Sequence, residues 1–261
     1  MKLFNSTVLT ACLLTVSFSF LPAADALPVP EKENLILKVL PLSGEPSPDV
    51  PKKLILVKED GIVAIGDSIT EFGGYLRKTY AALAELYPDM ELHRIINAGI
   101  SGQKAEDLVK RFPAAIKRKP AVVTISIGIN DVWHRQGAPH DGKILKNYKE
   151  NINKMVDMAQ EAGVKVILLT PTIIMEDPNS EGNKRLLLYV NAMKEVQAEK
   201  KCGLADLHAM FLEALKHKPA GLTGNWLTKD GVHMTPLGDA LMALGVLRAL
   251  GVPDAELAKL K

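Results

Sequence analysis

From Gly61 onward the chain alternates two periodicities, and this alternation limits its fold more than any other feature. Short apolar runs rich in β-branched residues predict strands at 62–65, 94–97, 122–127, 164–169 and 203–207. Between them, apolar residues recur every three to four positions. Leu76, Tyr80, Leu83 and Tyr87 mark one helix, stopped by Pro88. Leu145, Tyr148, Ile152, Met155 and Ala159 mark another, ended near Gly163. Leu186, Val190, Met193 and Val196 mark a third. Thr235-Pro236 is an N-cap and first-turn pair for a last long helix over 237–250. Strands alternating with helices in this way predict an α/β domain built on one doubly wound, five-stranded parallel sheet.

The chain ahead of Gly61 has a different character. Residues 1–26 carry an apolar stretch from Val8 to Leu21 and the small-x-small run Ala24-Asp25-Ala26. They read as a signal peptide cleaved after Ala26, too short in its apolar core for a membrane span. Leu9-Thr10-Ala11-Cys12 looks like a lipobox, but the apolar stretch continues past Cys12, so that reading is set aside. Residues 27–60 contain Pro28, Pro30, Pro41, Pro46, Pro48 and Pro51 and read as an extended lead-in, a linker or strap with short edge strands at 36–40 and 54–57. The expected location is secreted or periplasmic. Loss of Cys12 with the leader leaves Cys202 alone, so no internal disulfide is available to the mature chain. A formal charge of +2 without a long basic run gives no reason to expect a nucleic-acid partner.

Four local signals fall at predicted strand ends or just before the last helix: Gly66-Asp67-Ser68, Asn97-Ala98-Gly99-Ile100-Ser101-Gly102, Gly128-Ile129-Asn130-Asp131 and Asp230-Gly231-Val232-His233. Ligands of open α/β sheets bind at the carboxyl ends of strands. The four blocks together hold the parts of an acyl-transfer site. Ser68 is the candidate nucleophile, with N-capping of the following helix as its bland alternative. His233 is the candidate base, and Asp230, three residues earlier, can orient its imidazole. Candidate oxyanion donors are the N–H groups of Ser68 and Gly99 and the side-chain amide of Asn130. Gly102 reads as a turn glycine.

On these blocks the chain resembles the SGNH/GDSL hydrolases, whose name-giving Ser, Gly, Asn and His match Ser68, Gly99, Asn130 and His233, with Asp230 as the acidic partner. The likeness spans residues 61–250; Ile69 stands where the first block often has leucine. It implies a three-layer α/β/α, flavodoxin-like fold (the SGNH hydrolase fold) over residues 61–261 and ester hydrolysis without metal or other cofactor. Asp-x-x-His occurs again at Asp131 and His134, and the family's order favours the later copy. The GDSIT, NAGISG and GIND runs are most similar to secreted bacterial acylhydrolases, several of which deacetylate carbohydrates.

Other residues have weaker claims. Asp67 reads as a brace for the nucleophile turn. Asp131, Trp133 and His134 are candidates for substrate contact or for bracing, each with a plain structural alternative; Asn225 and Trp226 are equally ambiguous. His140 and Asp141 lack further ligands for a metal, and His93, His208 and His217 read as ordinary histidines. No G-x-S-x-G elbow, P-loop, dinucleotide fingerprint or H-E-x-x-H is present. The expected function is a secreted serine esterase cleaving carboxylic esters through an acyl-enzyme, with short acyl or acetyl esters on carbohydrates foremost. A small-molecule or glycan ester is its expected partner, and its oligomeric state stays open. The alternatives are a lipid-type acylhydrolase (a lysophospholipase or thioesterase) and a non-catalytic carbohydrate-binding relative.

Overall fold

The structure is a computed structural model that describes residues 35–260. The expected signal peptide and cleavage site, and the first residues of the expected lead-in, lie outside the described residues. Five parallel strands form one sheet in the order β2-β1-β3-β4-β5: β1 Ile62–Gly66, β2 Ile96–Gly99, β3 Val122–Ser126, β4 Lys165–Leu169 and β5 Gly203–Ala205. Every residue of β1 and β3 is buried, as expected of strands covered on both faces. Edge strand β2 is far more exposed and begins two residues later than its apolar run predicts.

The helices are α1 Leu35–Val39, α2 Ser68–Phe72, α3 Gly74–Leu86, α4 Ala105–Ile116, α5 Ile129–Trp133, α6 Gly142–Glu161, α7 Glu181–Lys200, α8 Leu207–Leu215, α9 Pro236–Ala249 and α10 Asp254–Leu257. One layer packs α3, α1 and α8 around α9; the other packs α4 against α6 and α6 against α7. Helix α9 is apolar on all sides and buried from Ala240 to Ala249, the pattern of a helix enclosed in a core. Its one buried cation, Arg248, is met by Asp254 through Nε–Oδ1 (2.9 Å) and Nη2–Oδ2 (2.6 Å).

Two expectations ahead of Gly61 are corrected. Residues 36–40 are not an edge strand. Leu35–Val39 is a helical turn, because Ile36 and Val39, spaced by three, both bury against α9. Residues 54–57 form no strand either. They cross the domain as a strap, with Ile55 N–H donating to Leu250 O (2.9 Å) and Lys165 Nζ to Ile55 O (2.7 Å). Residues 35–60 thus belong to the same compact unit as the rest.

The strand order reverses between β1 and β3, since the chain leaves β1 for β2 on one side and returns to β3 on the other. Such a reversal opens a crevice at the strands' carboxyl ends. The short helices α2 and α5 start there, carrying Ser68 and Asn130 to its two walls.

Candidate functional site

Gly66 ends β1 because nothing larger fits. A Cβ there would lie 2.1 Å from Thr70 Oγ1 and 2.6 Å from Ser126 O. Asp67 then turns the chain and caps α2, with Oδ1 accepting from Ile69 N–H (3.0 Å). The cap is therefore Asp67 and not Ser68, which disposes of the capping alternative for the serine. Asp67 is 2% exposed, so it braces the turn and is out of a ligand's reach. Burial raises its carboxyl to about 7, against the pull of the Ile69 N–H and of His233.

Ser68 Oγ is free to face the C-terminal loop and lies 2.8 Å from His233 Nε2. His233 Nδ1 lies 2.6 Å from Asp230 Oδ2. A neutral imidazole protonated on Nδ1 satisfies both contacts, donating to Asp230 and accepting from the serine hydroxyl. The other Asp230 oxygen accepts from Val232 N–H (3.0 Å) and His233 N–H (2.8 Å). Desolvation pushes this carboxyl upward, but the bonds from the His233 ring and from both backbone N–H groups outweigh it and hold it at about 2. Asp230 is therefore ionised at neutral pH.

The loop is anchored on both sides. Lys229 N–H donates to His233 O (2.7 Å), and Thr228 and Met234 form an antiparallel bridge. Thr235 caps α9 through Gly238 N–H (3.2 Å). From the β4 side, Met175 N–H donates to Gly231 O (2.7 Å). The exposed ring of Phe72, at the end of α2, packs on the His233 imidazole with centroids 4.9 Å apart.

Of the oxyanion candidates, Ser68 N–H has no partner among the described residues. Asn130 is 7% exposed and spends one amide hydrogen on Gln103 O (3.0 Å), leaving its second available. Gly99 is corrected. It ends β2 opposite Gly66, its N–H is taken by Asn97 Oδ1 (2.9 Å), and a Cβ there would lie 2.1 Å from Glu71 N. This glycine is required for close packing of β2 on α2 and offers no donor. Gly102 has the open N–H instead. It is exposed, has φ +76°, faces open space and precedes the very residue whose carbonyl holds Asn130. Glu71 Oε2 ties this turn to α2 by accepting from Ser101 N–H (2.9 Å) and Ser101 Oγ.

The remaining candidates are not brought into the site as contacts. Asp131 is buried and turned to Ala105 N–H at the start of α4, 3.4 Å from each oxygen. Burial raises it to about 7. His134 is exposed and makes no side-chain bond to Asp131, so the second Asp-x-x-His is no pair. Trp133 and Trp226 are half-buried against the core. His208 is buried, with Nδ1 bonded to Thr172 O. Among the described residues no cluster of His, Cys, Asp and Glu suits a metal ion. Sequence reasoning read Gly102 only as a turn glycine and did not single out Phe72 or Met175, which the structure places against His233 and Gly231.

Comparison with known proteins fits this geometry. The model of the GDSL-like lipase/acylhydrolase family matches residues 64–241. An acetylxylan esterase of Geobacillus stearothermophilus is 30% identical over 210 residues, covering 73% of this chain and 93% of the relative. The uncharacterized lipoprotein YqeF of Bacillus subtilis is 26% identical over 220 residues, covering 72% and 88%. An alpha/beta hydrolase enzyme from the metagenome of Lake Arreo, Spain, superposes with TM-score 0.68 at 27% identity, covering 77% of this chain and 99% of that one. The solved structures of the Geobacillus esterase include catalytic mutants in which a serine, an aspartate or a histidine is replaced by alanine, the histidine three positions after the aspartate.

Proposed function

The chain belongs to the GDSL-like lipase/acylhydrolase family and is a carboxylic ester hydrolase, and we propose that it is an exported serine esterase that removes acetyl groups from carbohydrates. The observation that carries the mechanism is the bonded run Ser68–His233–Asp230, at 2.8 and 2.6 Å. As Ser68 Oγ attacks the ester carbonyl, His233 Nε2 takes its proton, and ionised Asp230 stabilises the resulting imidazolium. The Ser68 and Gly102 N–H groups and the free Asn130 amide hydrogen receive the oxyanion. As the intermediate collapses and the acyl C–O bond breaks, His233 gives its proton to the departing sugar oxygen, which leaves as a hydroxyl. In the second half it activates water, which cleaves the acetyl-serine.

The acetyl-carbohydrate assignment is supported by the Geobacillus relative, which aligns over nearly its whole length. Export is supported by the leader-like residues 1–26 and by the relative that is itself a lipoprotein. In this reading residues 1–26 are removed, residues 27–60 form the lead-in and residues 61–261 carry the hydrolase.

One observation favours a longer acyl chain. Phe72, Ile100 and Met175 are 57%, 45% and 46% exposed, and each is tied to the site: by the His233 ring, by Ile100 N–H to Gly66 O, and by Met175 N–H to Gly231 O. Exposed apolar side chains beside a nucleophile suit an acyl tail. Release of p-nitrophenol from acetate, butyrate and octanoate esters, in wild type and Ser68→Ala, tests both readings. Turnover surviving in Ser68→Ala rejects the serine mechanism, and a rate that rises toward octanoate replaces the acetylesterase with the lipid-type acylhydrolase.

A further inference from the structure

The segment that carries the acid and the base is held by a carboxylate outside every recognised block. Glu176 follows β4 and its side chain is 3% exposed. Its Oε1 accepts from Leu227 N–H (2.7 Å), Thr228 N–H (2.8 Å) and Thr228 Oγ1 (3.0 Å). Its Oε2 accepts from Trp226 N–H (2.7 Å) and faces Lys218 Nζ (3.4 Å). Three successive backbone N–H groups thus converge on one buried carboxylate, two residues short of Asp230. The preceding residue, Met175, adopts φ +54°, a conformation a non-glycine residue keeps only when its surroundings impose it. Its N–H holds Gly231 O (2.7 Å).

We propose that Glu176 is a positioning residue for the acyl-transfer site, setting where Asp230 and His233 stand relative to Ser68. This rests on the serine-esterase reading above. Thr228 pairs with Met234, and Lys229 N–H bonds His233 O, so 226–228 and the histidine form one hairpin-like unit. Glu176 fixes one arm of that unit and Thr235 at the α9 cap fixes the other. A charged acceptor is required because its partners are all donors. In Glu176→Gln the amide oxygen can keep the three donors of Oε1, but the NH2 group then opposes Trp226 N–H and Lys218. In Glu176→Ala the whole set is lost.

The test is p-nitrophenyl acetate hydrolysis by the full chain, with active serines counted by phosphonate titration, together with proton NMR of the far-downfield His233 Nδ1–H. We expect kcat per active serine to fall about tenfold in Glu176→Gln and about 100-fold in Glu176→Ala, with KM within about twofold. The downfield resonance is expected to broaden or vanish in the same order. A merely structural role lowers the melting temperature or the titratable fraction but leaves kcat per active serine and the resonance at wild-type values; that result overturns the proposal. If both variants fail to fold, Thr228→Val takes over, since it removes one hydroxyl donor to Oε1. A loss of about three- to tenfold in kcat with a shifted resonance supports the role, and wild-type behaviour overturns it. Ser68→Ala separates the two levels. If it retains turnover, the serine reading itself fails; if it is inactive while the Glu176 variants behave as wild type, only the positioning role fails.

Discussion

Replacing Asn130 by alanine separates what its two amide hydrogens do. One hydrogen is bonded to Gln103 O at 3.0 Å, and the other has no hydrogen-bond partner among the described residues. Loss of the first leaves the Gln103 carbonyl without that donor. Gln103 is only half-buried, so water offsets part of the deficit, and the stability cost is expected at the low end of a lost hydrogen bond, about 1 kcal/mol. For a chain of this size that is a drop of about 2–4 °C in melting temperature. Loss of the second removes one donor from the developing oxyanion, a charge that exists only after attack. Its cost therefore falls on kcat, about 10²–10³-fold or roughly 3–4 kcal/mol, with KM little changed. Thermal unfolding and steady-state hydrolysis of p-nitrophenyl acetate read the two effects separately. A variant with kcat within threefold of wild type would falsify the oxyanion role. A large rise in KM at constant kcat would instead make Asn130 a ground-state contact.

The two glycines of the second block should respond to different degrees. Gly99→Ala forces a methyl to 2.1 Å from Glu71 N and 2.6 Å from Glu71 Cα, a backbone clash expected to cost about 3 kcal/mol or more in urea unfolding. Gly102→Ala meets open space and bears only its left-handed φ of +76°, about 1–2 kcal/mol; equal costs at both positions would contradict the packing described. Asp67 makes stability depend on pH. Its carboxyl is raised to about 7 in the native state and ionises near 4 when unfolded. Between those values the native chain holds a proton that the unfolded chain has released, so stability falls as pH rises through this window and levels off above it. Asp67→Asn should flatten part of that slope, with Asp131 (about 7) and Asp239 (about 6) sustaining the remainder; identical slopes in melting temperature from pH 4.5 to 8 would count against a buried, neutral Asp67.

Legibility in the sequence followed burial. Strands β1, β3 and β4 are covered on both faces, so their apolar runs are nearly continuous and their positions read correctly to within a residue or two. Edge strand β2 is half in solvent, its run includes Arg94 and Ile95 outside the ladder, and its register could not be read from hydrophobicity alone. Leu35–Val39 misled because five residues are too few to separate a helical turn from an apolar strand. In the site, the four blocks singled out Ser68, Asn130, Asp230 and His233 because each role needs a particular side chain, and the structure joins Ser68, His233 and Asp230 in one hydrogen-bonded run. That the Gly99 N–H is already bonded was not legible, because the direction of an N–H leaves no trace in residue identity. Glu176 was invisible for the same reason: its partners are mostly main-chain groups about fifty residues away.

Helix α9 follows the loop of Asp230 and His233 after a single residue, Met234, and the cap Thr235, and it is buried from Ala240 to Ala249. The nucleophile stands 165 residues earlier. An incomplete chain that ends before α9 therefore lacks the centre of one helical layer and the platform for its base at once. Packing around α9 and placing of the base therefore become a single event. A form truncated before α9 carries Ser68 as an ordinary alcohol, harmless to the esters it meets, because nothing holds its base in place.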